Sequence, residues 1–410
     1  MMTLTQPRSL TLKLETAFIF LLGFAIFISK PLIYLSILLL IGVTLVRIVT
    51  DQDYRHELFD NKLFWASSGV FAFGLLATLI GSGYAEDVTW MFTKTMLLPM
   101  AVPLVMAFGE KTNRTAAIAG AVVGFGVAFV LTGNLHNWTW SGDRYEGATW
   151  LIDTWGVICA MLILVLSPLV FVAKTNWLWR GLLLVTLLGA IIMLLINGAR
   201  GPWLGVITGV TIFIVLKQFR RLPMVAAVAI IFFYALTVLL PKQMEATYSR
   251  VESIADTQNN PSSYLRMAMW ETGYALITKQ LMTGDKVFWF GYQKKGRGDL
   301  PNDFYYNEFM DRAKVKPGVL KEYNWKLTDF HNSYLESVFR NGILWTLGSL
   351  FILAWLAIGP LQRGQKWSTS WAAVPSLIGY LVIGITYTLL PHFAFLFLIF
   401  FMALGRGFDR

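Results

Sequence analysis

Three residues stand at borders between polar and apolar sequence, and each is of a type that does chemistry. His331 lies in "LTDFHNSYLESVF" (327–339), where a long polar stretch gives way to an apolar run, and it is one of four histidines. An imidazole titrates near neutrality, so it is suited to take a proton at physiological pH. A lone histidine is more commonly structural, and His136 and His392 are rivals on the same side. Arg200, in "INGARGPWLG", occupies a short break between apolar runs, made sharp by Gly198, Gly201 and Pro202. A charge at that boundary is expensive unless solvated or used; a snorkelling loop arginine is the competing reading. Arg266, in "SSYLRMAMWE", lies on an expected loop helix. Alone it carries little, because most loop arginines are solvated or in marginal ion pairs.

The elements that must position these side chains are set by composition. The 410 residues are 56% hydrophobic and 14% charged, with a mean hydropathy of +0.58. A soluble protein keeps more charge on its surface. Apolar runs near 20 residues match a bilayer core, so the chain reads as an all-α integral membrane protein. Twelve apolar segments are expected, at 14–29, 31–49, 62–83, 90–108, 114–133, 150–173, 178–197, 202–217, 222–240, 340–360, 370–389 and 391–407. "SKP" (29–31) and "LPH" (390–392) read as tight helical hairpins. The N-terminus lacks a small-residue cleavage site and runs on into apolar sequence, so it reads as a retained first helix.

Charge orients the bundle. With the N-terminus inside, the inner segments hold sixteen cations: Arg8, Lys13, Arg47, Arg55, Lys62, Lys111, Arg114, Lys174, Arg180, Lys217, Arg220, Arg221, Arg363, Lys366, Arg406 and Arg410. The short outer ends hold four: Lys30, Lys94, Arg144 and Arg200. This positive-inside bias places both termini in the cytoplasm and accounts for the net charge of +10 without nucleic acid. The organisation is then transmembrane helices 1–9 over residues 1–240, an exported loop over 241–339, and helices 10–12 over 340–410. A structureless loop of that length is unusual, so a folded, partly helical lid is expected. Asn260 and Pro261 supply an N-cap and first residue for a helix that lies on the membrane or packs over the bundle. "DKVFWFGY" and "NDFYYNEFM" have the aromatic content of an interfacial level. Asp329 or Asn332 caps the helix after His331.

Several chemistries leave no trace. There is no Walker loop, no dinucleotide fingerprint and no Gly-x-Ser-x-Gly elbow. No outer pair of aspartates has the spacing to hold Mg²⁺ with a phosphate. The single cysteine, Cys159, can form no intramolecular disulfide. No cofactor or metal is expected. The apolar segments lack the mid-membrane charges of ion-coupled transporters.

Taken together, the twelve segments, the single long outer loop, the Arg200-Gly201 pair before a helix, Arg266 followed by Trp270, and "HN-x-x-L-E" at 331–336 resemble the O-antigen ligase/polymerase superfamily. "DRYEGATWLIDTWG" (143–156) resembles its Arg-x-x-Gly segment, whereas "KQLMTGDKVFWFGY" (279–292) lacks the family's Pro and paired Gly. Length and the single loop look most like the lipopolysaccharide O-antigen ligases. The resemblance implies a GT-C-like glycosyltransferase of the bacterial inner membrane. It would move O-antigen glycan from undecaprenyl pyrophosphate to a sugar hydroxyl of lipid A–core on the periplasmic face. His331 would be the general base, with Arg200 and Arg266 gripping the diphosphate. Arg144, Lys94 and Asn332 would add substrate contacts. No nucleophilic carboxylate is evident, so inversion is expected. An O-antigen polymerase, a protein O-oligosaccharyltransferase and, from another class, a lipid-linked glycan transporter are the alternatives.

Overall fold

The computed structural model describes residues 6–82, 84–139, 144–172, 177–217, 219–239, 261–292, 299–315, 317–359 and 372–408, with scattered residues between 241 and 252. Asn260 and the inner cations Lys174, Arg363, Lys366 and Arg410 lie outside them. Regular structure among the described residues is helical. Eight helices are long and apolar enough to cross a membrane: α1 (Gln6–Ile28), α2 (Lys30–Thr50), α4 (Lys62–Ser82), α7 (Lys111–Leu135), α8 (Ile152–Val172), α9 (Trp177–Asn197), α10 (Arg200–Lys217) and α16 (Ser333–Ile358). The short α3 (Gln52–Phe59) follows α2, capped by Asp51, whose Oδ1 accepts from the Tyr54 amide at 3.1 Å. α8 is the axis of the bundle: 89% of its apolar window is buried, against 28–56% for the other spans.

The four other expected crossings take different forms. The 90–108 segment is not one helix but α5 (Ala85–Thr95) and α6 (Ala101–Ala107), separated by turns at 96–100. Pro99 sits in this break; proline lacks the amide a helix needs and clashes with the preceding turn. The ninth segment forms α11 (Leu222–Leu239). The last two are α17 (Ala373–Thr386) and α18 (Phe393–Gly407), with 14 and 15 residues. Those lengths fall short of the roughly 20 residues a straight crossing takes. The "SKP" hairpin forms as expected, with Ser29 alone between α1 and α2. The "LPH" hairpin does not. α17 stops at Thr386 because the Tyr387 carbonyl accepts from Ser333 Oγ at 2.7 Å, and the Leu389 amide donates to the same oxygen at 2.5 Å. Residues 387–392 are thereby held out of a helix as a structured connection.

Two glycine arrangements fix the end of the bundle that carries Arg200. Gly201, Gly205 and Gly209 form a stripe at four-residue spacing on α10, against α17. A Cβ on Gly205 would stand 2.6 Å from the Gly379 carbonyl oxygen, and one on Gly209 2.7 Å from that of Pro375. Small residues at this spacing let helix backbones touch where lipid supplies no hydrophobic drive. The stripe holds Arg200, the first residue of α10, level with the end of α17. The second is a break in α16 at Gly342 (φ 80°, ψ 160°). There the chain meets Gly291 (φ 81°), which follows α13 (Lys286–Phe290). A Cβ on Gly342 would lie 2.6 Å from the Phe290 nitrogen.

Above this joint, α12 (Pro261–Met282), α14 (Leu300–Phe304) and α15 (Val319–Glu322) build a second apolar core with the start of α16. It contains Leu265, Met269, Leu276, Phe304, Tyr305, Leu320, Phe330 and Phe339. Phe330 and Phe339 meet edge to face at 5.4 Å, and Tyr292 lies 5.1 Å from Phe339. Each such side chain contributes about 1.5–3 kcal/mol on burial. The described residues of the expected loop thus share an apolar core, and α12 packs against α16. Phe304 and Tyr305 of "NDFYYNEFM" fill this core instead of lying at an interface, while the next residue, Tyr306, stays exposed.

Candidate active site

His331 sits in a left-handed backbone conformation (φ 46°), uncommon for a non-glycine residue. Two hydrogen bonds and one longer contact surround it. Its amide donates to Asp329 Oδ1 at 2.7 Å, the Trp270 indole donates to its carbonyl at 3.3 Å, and its Nδ1 stands 3.6 Å from Asp329 Oδ1. Thr388 Oγ1 donates to the same carboxylate at 3.3 Å. The Asn332 side chain is the cap of α16: its Oδ1 accepts from the Tyr334 and Leu335 amides, and its Nδ2 donates to the Ile385 carbonyl at 3.1 Å. Of the two expected caps, Asn332 serves and Asp329 turns to the histidine.

A cavity of about 260 Å³ opens here, lined by Asp153, Thr154, Asp329, His331, Tyr387, Thr388 and His392 with apolar Leu151 and Val157. Two of the expected cations reach its Tyr387 wall. The Arg266 guanidinium lies over the Tyr387 ring at 5.7 Å. Arg144 pairs with Asp153 at 3.1 Å and bonds the Tyr387 side chain. Its loop is tied down by the fully buried Asn197, whose Nδ2 donates to the carbonyls of Tyr145 and Ile152 at 2.7 and 2.8 Å. Arg200 opens α10, and its neighbour Gly201 abuts Tyr387, where a Cβ would meet the ring at 2.5 Å.

Lys94 lies farther along the same connection, beside Phe393: its Nζ donates to the Tyr34 hydroxyl at 3.0 Å and stands 3.0 Å from the Phe393 ring centre. Lys30 Nζ stands 5.4 Å from the same ring centre. The charge is felt by His392, whose pKa falls to about 4 through burial first and then the fields of Lys94, Lys30 and Arg340. Burial pushes the Tyr387 phenol up, against the opposing pull of Arg266 and Arg144. His136 does not join: it stacks on Tyr145 at 3.8 Å and is absent from the cavity wall.

Sequence reasoning missed Tyr387, Asp153 and Arg340. Arg340 pairs with the fully buried Glu336, its Nε donating at 2.9 Å, and faces the Trp90 ring at 5.3 Å. The i,i+4 spacing of Glu336 and Arg340 was a usable signal. Nothing local marks Tyr387, which reads as the end of an apolar run.

A polytopic helical membrane protein with a second apolar core and a cavity holding His331 is what these elements define. Residues 182–350 match the family model described as O-antigen ligase. The matched stretch carries Arg200, Arg266 and His331 and is similar to the O-antigen ligase superfamily. A Haemophilus influenzae protein described as uncharacterized is 26% identical over 179 residues, 41% of this chain and 40% of that protein. The similarity therefore spans about two fifths of the relative's length. No solved structure matches.

Proposed function

We propose that the protein is a glycosyltransferase that moves a glycan from undecaprenyl pyrophosphate to a sugar hydroxyl of lipid A–core at the periplasmic face of the inner membrane. The single observation that carries this reading is that Arg144 and Arg266 both meet Tyr387, a wall residue of the cavity that holds His331, with Arg200 next in sequence to the Gly201 that abuts the same ring. A diphosphate is already a good leaving group, so what the reaction needs is a proton acceptor and charge neutralisation. The acceptor oxygen attacks the anomeric carbon as the carbon–oxygen bond to phosphate breaks. The electron pair leaves with the diphosphate, and the hydroxyl proton passes to His331. Asp329 faces Nδ1 and leaves Nε2 for the acceptor. Guanidinium forks match phosphate oxygens two at a time and stay charged, so they stabilise the leaving group as it forms. Attack opposite the leaving group inverts the anomeric centre.

The test is transfer in detergent with purified protein, lipid-linked donor and lipid A–core, with and without chelator. The wild type forms glycosylated core under both conditions, and His331→Ala forms none. Transfer by His331→Ala at the wild-type rate would remove the base from the mechanism. Product formed only on a second lipid-linked glycan would make the enzyme a polymerase.

A further inference from the structure

A second, chemically different pair of depressions lies on the cap, away from the arginines. One, of about 260 Å³, has Gln280, Asp285, Tyr292, Asp303 and Asn307 in its wall. The other, of about 320 Å³, is walled by Asp303, Tyr306, Asn324 and Trp325. Asp303 belongs to both, so the two are continuous across one exposed carboxylate.

Gln280 sets this surface apart from an ordinary polar hollow. It is only 4% exposed, and neither its Oε1 nor its Nε2 has a hydrogen-bond partner. A buried amide with donor and acceptor both unspent is rare in a folded protein, and a ligand offering both functions would satisfy it. The charges say which ligand. Lys279 is held by Glu308 at 2.5 Å and Lys326 by Asp299 at 3.0 Å, so among the described residues the carboxylates of Asp285 and Asp303 have no lysine partner. Carboxylates outnumber lysines four to two in the described wall. No group of three His, Cys, Asp or Glu residues among those described converges to hold a metal ion. Acceptor-rich walls with exposed ring faces, Tyr306 at 38% and Trp325 at 40%, suit neutral, hydroxyl-bearing rings.

We infer that this groove binds sugar units of a glycan chain, remote from the bond that reacts. The inference rests on the glycosyltransferase reading and extends it. The saccharide could arrive as part of the lipid-linked chain or of the core acceptor, and the probes separate the two. Full-length protein in detergent is titrated with delipidated O-polysaccharide and, separately, with core oligosaccharide. Binding is followed by saturation-transfer NMR and by quenching of indole fluorescence. Polysaccharide binds the wild type, and Gln280→Leu, Asp303→Asn and Trp325→Ala each weaken it about tenfold. Asp303 and Trp325 are surface residues, so their variants stay folded if Gln280→Leu does not. Binding of core oligosaccharide instead keeps the groove and assigns it to the acceptor. If all three variants bind both probes like the wild type while the wild type transfers glycan, the groove is overturned and the catalytic reading stands. If the variants lose binding while the wild type catalyses no transfer, the groove stands and the catalytic reading falls.

Discussion

His331 and Asp329 are joined twice through one carboxylate oxygen, which accepts the His331 amide at 2.7 Å and stands 3.6 Å from the imidazole Nδ1. The first contact holds the backbone in its left-handed turn, and the second aims the ring. Asp329→Asn keeps the amide contact and loses the charge. It lowers kcat by about tenfold or more and leaves KM near wild type, because a positioned base acts in the transition state only. Steady-state kinetics with the purified enzyme check this split.

His331→Ala abolishes transfer, a loss of about 10²–10⁴-fold in rate, while donor binding persists. Arg266→Lys and Arg200→Lys fail differently. Both weaken donor binding and rate together, since an ammonium cannot reproduce a forked contact. Donor affinity measured apart from turnover separates the two patterns.

Glu336 is fully buried and accepts from both Arg340 and the Phe330 amide. Arg340→Ala removes that buried carboxylate's arginine partner and destabilises the fold by about 3–5 kcal/mol. The double variant Arg340→Met/Glu336→Met recovers most of the loss in a thermal-unfolding assay, because neither charge then remains buried.

The His392 pKa lies near 4, below its ordinary 6.5. The unfolded chain therefore binds the proton more readily, and stability rises with pH across that window. The stabilising contribution is complete above about 6.5 and is lost as pH falls toward 4. His392→Gln flattens the dependence of the unfolding midpoint between those values, and an unchanged slope would assign the acid sensitivity elsewhere.

How far the sequence reached depends on what each residue answers to. The spans of α1, α2, α7, α8 and α9 follow from apolar length alone, and Arg200 stood out because charge at a membrane border is costly. Tyr387 did not stand out, because its role comes from Arg144, Arg266 and Gly201, which reach it across 243, 121 and 186 positions of sequence. The connection at 387–392 was read three residues too short because its helix is stopped by Ser333, a residue on another element. The break at Pro99 carried a local signal that hydropathy averaging concealed. His136 and His331 looked equal as types; only the placement of Asp329 and Tyr145 tells them apart.

The discontinuity at Gly342 has a mechanical consequence. Its N-terminal side is bolted to the cap by backbone contact with Trp289 and Gly291, while its C-terminal side, Ile343–Ile358, lies in the apolar span. The two sides are tied across the break by the Ser337 and Thr346 hydroxyls, 2.8 Å apart, so the segment that carries the imidazole is referenced to the cap and to the span at once.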